Sequence, residues 1–185
     1  MPDTFQTIHT VKVHQNRVYL DDVLLYESEG NSHDMAMNFY KLQETQYPKF
    51  FKMDLMSRWG VLCADLLLHH ENLDAIDVYK RVLVLQNASS SLVSDKKFQE
   101  TVNNSLPSPA QFVYTLPNIV LGEIAIRHHF KGENTFFVSP SFNEEQLNQY
   151  VQYLFENQVA EIALCGFLEV TDTTQDIEMY ICKKR

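Results

Sequence analysis

Apolar and polar positions alternate along residues 7–26. Val11, Val13, Val18 and Leu20 lead into Val23, Leu24, Leu25 and Tyr26, with two polar breaks at Gln15-Asn16 and Asp21-Asp22. Alternation interrupted in this way predicts two or three short strands joined by tight turns. Residues 27–33 read as a loop, with Ser32 placed to cap a helix that runs to about Gln46. Tyr47-Pro48 ends it, because a proline disfavours helical geometry in the residue before it.

Asp54 is the next predicted cap. Leu55, Trp59, Leu62, Cys63, Leu66 and Leu67 recur at helical spacing and give one broad apolar face. Gly60 lies inside that helix and costs it up to ~1 kcal/mol relative to alanine, so it marks a close contact. His69 to Asn72 close the helix. Val82 to Leu85 form a short continuous apolar run, the pattern of a strand covered on both faces. A polar loop with Ser89, Ser90 and Ser91 follows, then a short amphipathic segment around Phe98 and a proline-containing loop from Ser105 to Ala110.

A helix is predicted from about Leu116 to His129, with Pro117 tolerated in its first turn. Lys131-Gly132 stops it, and Thr135 to Val138 read as a buried strand. Phe142 to Asn157 read as a helix, Glu161 to Leu168 as a strand and Ile177 to Cys182 as another. From Val82 onward the order is strand, helix, helix, strand, helix, strand, strand. That order predicts an α/β layered domain with a mainly parallel, mixed sheet flanked by helices and a last strand free to run antiparallel. A short β-hairpin region precedes it.

Composition narrows the class. The chain has 185 residues, 45% hydrophobic and 21% charged, which fits one globular domain and excludes wholesale disorder. Within it, residues 1–31 form a β-rich extension. The net charge of −9 repels phosphate backbones and speaks against sequence-independent nucleic-acid binding. Arg127, His128, His129 and Lys131 form a local basic run, which reads as a solvated helix end. No apolar run reaches the ~18 residues of a membrane span. Met1 to Gln6 lacks the basic start of a signal peptide. Cys63, Cys165 and Cys182 are too few and too scattered for a disulfide framework or a zinc site. They read as buried thiols of a reducing compartment, so a cytoplasmic location is expected. Glu44, Glu71, Asp74 and Asp77 make no recognisable carboxylate pair. No metal-ligand spacing or phosphate-cradling glycine loop occurs, so neither a metal nor a cofactor is expected.

One stretch carries a resemblance. Tyr114 to His128, with Asn118 and Gly122, leads through Gly132 into the strand Asn134 to Val138. The stretch resembles the beta-ketoacyl-acyl-carrier-protein synthases of the thiolase superfamily. Val82 to Ser91, Val159 to Gly166 and Lys49 to Leu68, with its Met53-Asp54 pair, match further segments in the same order. The resemblant portion spans residues 47–166 and implies the N-terminal half of the thiolase fold.

The resemblance places Ser141 where the family has its catalytic cysteine. A serine hydroxyl is a poor nucleophile without an adjacent base. The family's two histidines belong to a second half, and only 19 residues follow Gly166. None of the seven histidines stands where the family would place a catalytic one. The expectation is therefore a noncatalytic, truncated synthase-like protein. It would be an accessory or chain-length-factor-like partner in bacterial fatty-acid or polyketide synthesis, of the aryl-polyene or flexirubin type. Alternatives are an acyltransferase or thioesterase that uses Ser141, or a binding module for an apolar ligand. Read locally, Ser141 is equally a helix cap, with Glu144 completing a capping box.

The resemblance also implies a dimer interface on Asn134, Thr135, Phe136, Phe137, Val138 and Ser139. The partner would be a second copy or a full-length synthase. Acyl carrier protein would dock on Lys96, Lys97, Arg127 and Lys131, because carrier proteins are acidic.

Overall fold

The two polar breaks of the N-terminal region form the turns expected of them. In the computed structural model, which describes residues 4–44 and 46–185, they separate three strands: β1 (Phe5–His14), β2 (Arg17–Leu20) and β3 (Val23–Glu27). Gln15, Asn16, Asp21 and Asp22 all take positive φ, between 50° and 63°. Two left-handed residues in a two-residue turn match the twist of a hairpin, and Asn and Asp tolerate that geometry best.

Four further strands follow: β4 (Arg81–Asn87), β5 (Asn134–Val138), β6 (Ile162–Val170) and β7 (Gln175–Lys184). All seven belong to one sheet of order β3-β2-β1-β7-β6-β4-β5. Parallel pairing is confined to β4–β5 and β4–β6, and β7 runs antiparallel to β6. β1 pairs with β7 along its length, from Phe5 opposite Lys184 to His14 opposite Asp176, so the N-terminal hairpins extend the main sheet. Every residue of β4 is buried, as its unbroken apolar run implies.

The sheet divides the core into two layers. One face is covered by α1 (Ser32–Leu42), α2 (Leu55–Leu68) and α5 (Ile119–His128). The other is covered by α6 (Glu144–Glu156), whose Leu147, Val151, Leu154 and Phe155 pack on Val82, Val84, Ala163 and Cys165. Between β4 and α5 the chain makes an excursion through α3 (Leu92–Asn103) and the single turn α4 (Pro109–Phe112).

Gly60 sits where α2 crosses α5. A β-carbon there would lie 2.4 Å from Cγ2 of Val120 and 3.2 Å from Cδ2 of Leu168. Gly166 in β6 has φ +145°, and a β-carbon would meet the Glu178 carbonyl oxygen of β7 at 2.2 Å. Only glycine fits that approach.

Three boundaries differ from the sequence reading. Ser32 does not cap α1: the Asn31 side chain accepts from the Asp34 N–H, while Ser32 is buried and donates its hydroxyl to the Thr174 carbonyl at 3.2 Å. α1 ends at Leu42 rather than Gln46, and Glu44 turns out of it with φ 51°. α5 begins at Ile119 rather than Leu116, because residues 113–115 wind as a separate 3-10 turn. Among the described residues, no helix is long and apolar enough to cross a membrane.

Candidate functional site

The parallel strands β4, β5 and β6 end side by side, and ligands of open α/β sheets bind at such carboxyl ends. Their loops are tied together. The Ser139 N–H donates to the Asn87 carbonyl at 2.9 Å, joining the exits of β5 and β4. Gln86, fully buried in β4, clamps the start of α6: its Oε1 accepts from the Asn143 N–H at 3.0 Å and its Nε2 donates to the Asn143 carbonyl at 3.2 Å. Phe142 stacks on Phe167 of β6, with ring centroids 5.6 Å apart.

Ser141 lies exposed in the loop between these anchors. It is not the helix cap: the Asn143 side chain accepts from the Gln146 N–H at 3.0 Å and takes that role, so the Ser141–Glu144 capping box does not form. Among the described residues, no hydrogen bond or ion pair joins a histidine to Ser141. His9 bonds Asp21, His33 lies against Arg58, and His128 faces Asp65. His69 and His70 stack edge to face on each other. Among the described residues, no side-chain base is hydrogen-bonded to the hydroxyl.

The exit loop of β4 is held by a carboxylate. Glu169 of β6 accepts from the Ala88 N–H at 2.7 Å and the Ser89 N–H at 3.0 Å, and the Ser89 hydroxyl donates to its other oxygen. Ser91 donates its hydroxyl to the Thr115 carbonyl at 2.8 Å. Glu169 thereby ties the exit loop of β4 to β6. The thiols offer no replacement nucleophile. Burial pushes those of Cys63 and Cys165 well up. Cys182 is drawn down by its hydrogen bond with Cys165, yet it is shut into the core layer under α6. Glu169 and Gln86 escaped the sequence reading, since nothing local marks a carboxylate or amide whose partner lies 57 to 81 residues away.

β5 forms one edge of the sheet and pairs only with β4. Phe136 packs towards α5, while Phe137 packs towards α6 with its ring edge-on to Tyr150. Thr135 shares a hydrogen bond of 3.2 Å with Tyr150. Asn134 and Val138 are exposed.

The four cations proposed for carrier docking are not one patch. Arg127 grips Asp65 through Nε at 2.5 Å and Nη2 at 2.8 Å, and its guanidinium lies over the Tyr47 ring. Lys131 sits over Tyr79 and Lys97 pairs with Asp172. A cleft of about 830 Å³ lies between α6 and the β1–β7 pair. It is lined by Glu144, Glu145, Gln149 and Glu178 beside Phe5 and Tyr180. That lining is polar, unlike an acyl tunnel, and Ser141 is not part of it.

No family model matches the chain, and no curated protein matches it. Solved structures do match. The ishigamide ketosynthase/chain length factor superposes with a TM-score of 0.69 at 16% identity, over 98% of this chain. This chain spans 62% of that one's length. A chain of the ketosynthase ApeO in complex with its chain length factor ApeC, from Xenorhabdus doucetiae, gives 0.67 at 10% identity, over 98% of this chain and 79% of that one. AntDE:AntF, a type II acyl-carrier protein in complex with its ketosynthase, gives 0.69 at 12% identity, over 100% and 64%. The chain thus has the fold of these ketosynthase and chain length factor chains.

Proposed function

We propose that this chain is a noncatalytic ketosynthase-like subunit. It pairs with a ketosynthase-type chain through the β5 edge and assists acyl or polyketide chain building in the manner of a chain length factor. The observation that carries the reading is Ser141. At the position where the family resemblance puts a reactive cysteine, the chain has an exposed hydroxyl with no histidine bonded to it. The Ala88 and Ser89 N–H groups, at the exit of β4, are held by Glu169.

Exposed apolar side chains support an interaction face. Val138 is 57% exposed, and the excursion between β4 and α5 adds Leu106 at 77%, Phe112 at 59% and Leu116 at 56%. So much exposed apolar surface on one excursion and one strand edge is a common mark of an interaction face. The solved structures of this fold include ketosynthases held with a chain length factor or a carrier protein. On this reading Lys96 and Lys97, on α3, serve acidic carrier protein better than Arg127, whose charge is already spent on Asp65.

The test has two arms. The chain is incubated with acylated carrier protein and its intact mass is measured; no mass increase at Ser141 is expected. Co-expression with a ketosynthase encoded beside it should yield a complex that Val138→Arg disrupts while leaving the subunit folded. Acyl transfer to Ser141 refutes the noncatalytic role. A complex indifferent to Val138→Arg refutes the β5 edge as the contact.

A further inference from the structure

A second cleft, of about 250 Å³, opens where the start of α1, the 3-10 turn Pro48–Lys52, the start of α2 and the α3–α4 excursion meet. Its lining includes His33, Lys52, Asp54, Arg58, Lys97 and Tyr114. The arrangement is unusual for a chain of net charge −9, because three cations and one carboxylate line the same cleft.

The cations are held in different ways. Arg58 is fixed: its Nε donates to the Phe50 carbonyl at 3.2 Å and its Nη2 to the Phe51 carbonyl at 3.0 Å. Its Nη1 lies 3.0 Å from Nδ1 of His33. A guanidinium only donates, so Nδ1 accepts and the His33 ring proton sits on Nε2. Lys52 has no ion-pair partner among the described residues. Lys97 meets Asp172 at 2.9 Å, but both side chains are about half exposed or more, and such pairs are weak. Lys97 is therefore free to turn to a better anion.

The one carboxylate is already committed. Asp54 caps α2, its Oδ1 accepting from the Ser57 N–H at 3.0 Å and its Oδ2 from the Ser94 hydroxyl at 2.8 Å. It neutralises one positive charge and leaves two, in a recess walled by Met53, Leu55 and Val93. Two excess charges with several N–H donors suit a dianion better than a single carboxylate.

We propose that this cleft binds a phosphate group, either free or borne as a monoester on a small molecule. Arg58 supplies the fixed donor, and Lys52 and Lys97 close over the anion. The volume falls below the 300–1,000 Å³ typical of pockets for whole cofactors, so it admits a phosphate and a few further atoms. The site does not depend on the subunit role proposed above.

The test is calorimetric titration of the purified chain with inorganic phosphate and, separately, methyl phosphate, both at constant ionic strength. Saturable one-to-one binding is expected. Lys52→Glu and Lys97→Glu should each weaken it by about tenfold or more while leaving the circular dichroism unchanged. The His33 imidazole resonances should move on saturation while those of His14, paired with Asp176 elsewhere, stay put. Tighter binding of methyl phosphate identifies an ester as the natural source, and tighter inorganic phosphate identifies the free ion. No saturation up to about 20 mM, or charge-reversal variants that bind as wild type does, overturns the site.

Discussion

Gly60→Ala sets two effects of opposite sign against each other. Alanine favours a helix interior by ~1 kcal/mol over glycine, so on propensity alone α2 should gain. The packing opposes this. The new methyl would lie 2.4 Å from Cγ2 of Val120, whereas carbon atoms in contact sit about 3.5–4.0 Å apart. More than an ångström must therefore be found. Val120 is fully buried, and as a β-branched residue in a helix it has one strongly preferred rotamer. Leu168, at 3.2 Å, blocks movement towards the sheet. Overpacking costs about 1–3 kcal/mol, and a clash of more than an ångström belongs at the upper end, about 2–3 kcal/mol, which outweighs the propensity gain for a net loss of about 1–2 kcal/mol. In urea unfolding the midpoint should fall at unchanged slope, and Tm should drop by roughly 2–8 °C. Val120→Ala alone should cost about 2 kcal/mol through the cavity it leaves. In the double variant the methyl introduced by Gly60→Ala occupies part of that cavity, so the combined loss should fall short of the sum by at least about 1 kcal/mol. A Gly60→Ala variant as stable as wild type, or strict additivity in the cycle, refutes the argument.

Two further outcomes follow from the hydrogen bonding. Gln86→Leu keeps the bulk in β4 but leaves the Asn143 N–H without its partner, while the Asn143 carbonyl keeps the Leu147 N–H; it should cost about 1–2 kcal/mol and speed amide exchange at the first turn of α6, while exchange in α2 stays unchanged. Burial alone would raise the Asp21 carboxyl, but the Thr10 N–H and His9 bonded to it outweigh burial and hold it below its ordinary 3.8. A carboxyl lowered on folding stabilises the protein at pH above its unfolded value, and that stability is lost as pH falls through the lowered one. Asp21→Asn should therefore flatten the acid limb of stability below about pH 4, read as the unfolding midpoint in urea at successive pH values.

The parts of the fold that were legible in the sequence are those decided within a few residues. The turns at Gln15-Asn16 and Asp21-Asp22, the apolar run of β4 and the cap at Asp54 each depend on local geometry, and all three form as read. Gly60 was legible too, because a glycine inside a strong helical pattern demands a reason. The caps of α1 and α6 were not. Both were assigned to a serine, and both are an asparagine. In each case a distant partner decides: Ser32 is drawn inward to Thr174, 142 residues on, and Gln86 fixes the backbone of Asn143, 57 residues on. The candidate site divides in the same way. Ser141 is placed by the resemblance alone, and the carboxylate that holds the Ser89 N–H comes from a strand 80 residues later. The cationic cleft gathers His33, Lys52, Arg58, Lys97 and Tyr114 from separate elements, and no spacing rule connects them.

The partnership between β1 and β7 bears on how the chain is made. β1 is synthesised well before β7, yet its place in the sheet is provided by β7, and the Arg185 N–H bonds the Thr4 carbonyl at 3.1 Å. At ribosomal speeds of ~5–20 residues per second, the hairpin must wait roughly ten to thirty seconds for that strand to emerge. During the wait β1 offers an unsatisfied edge and Val11 and Val13 have no core to enter. The nascent hairpin is therefore a natural client for a ribosome-bound chaperone. A circular permutant that links β7 to β1 and is translated from the loop before β4 would make those two strands in immediate succession. It should fold with less aggregation than the native order.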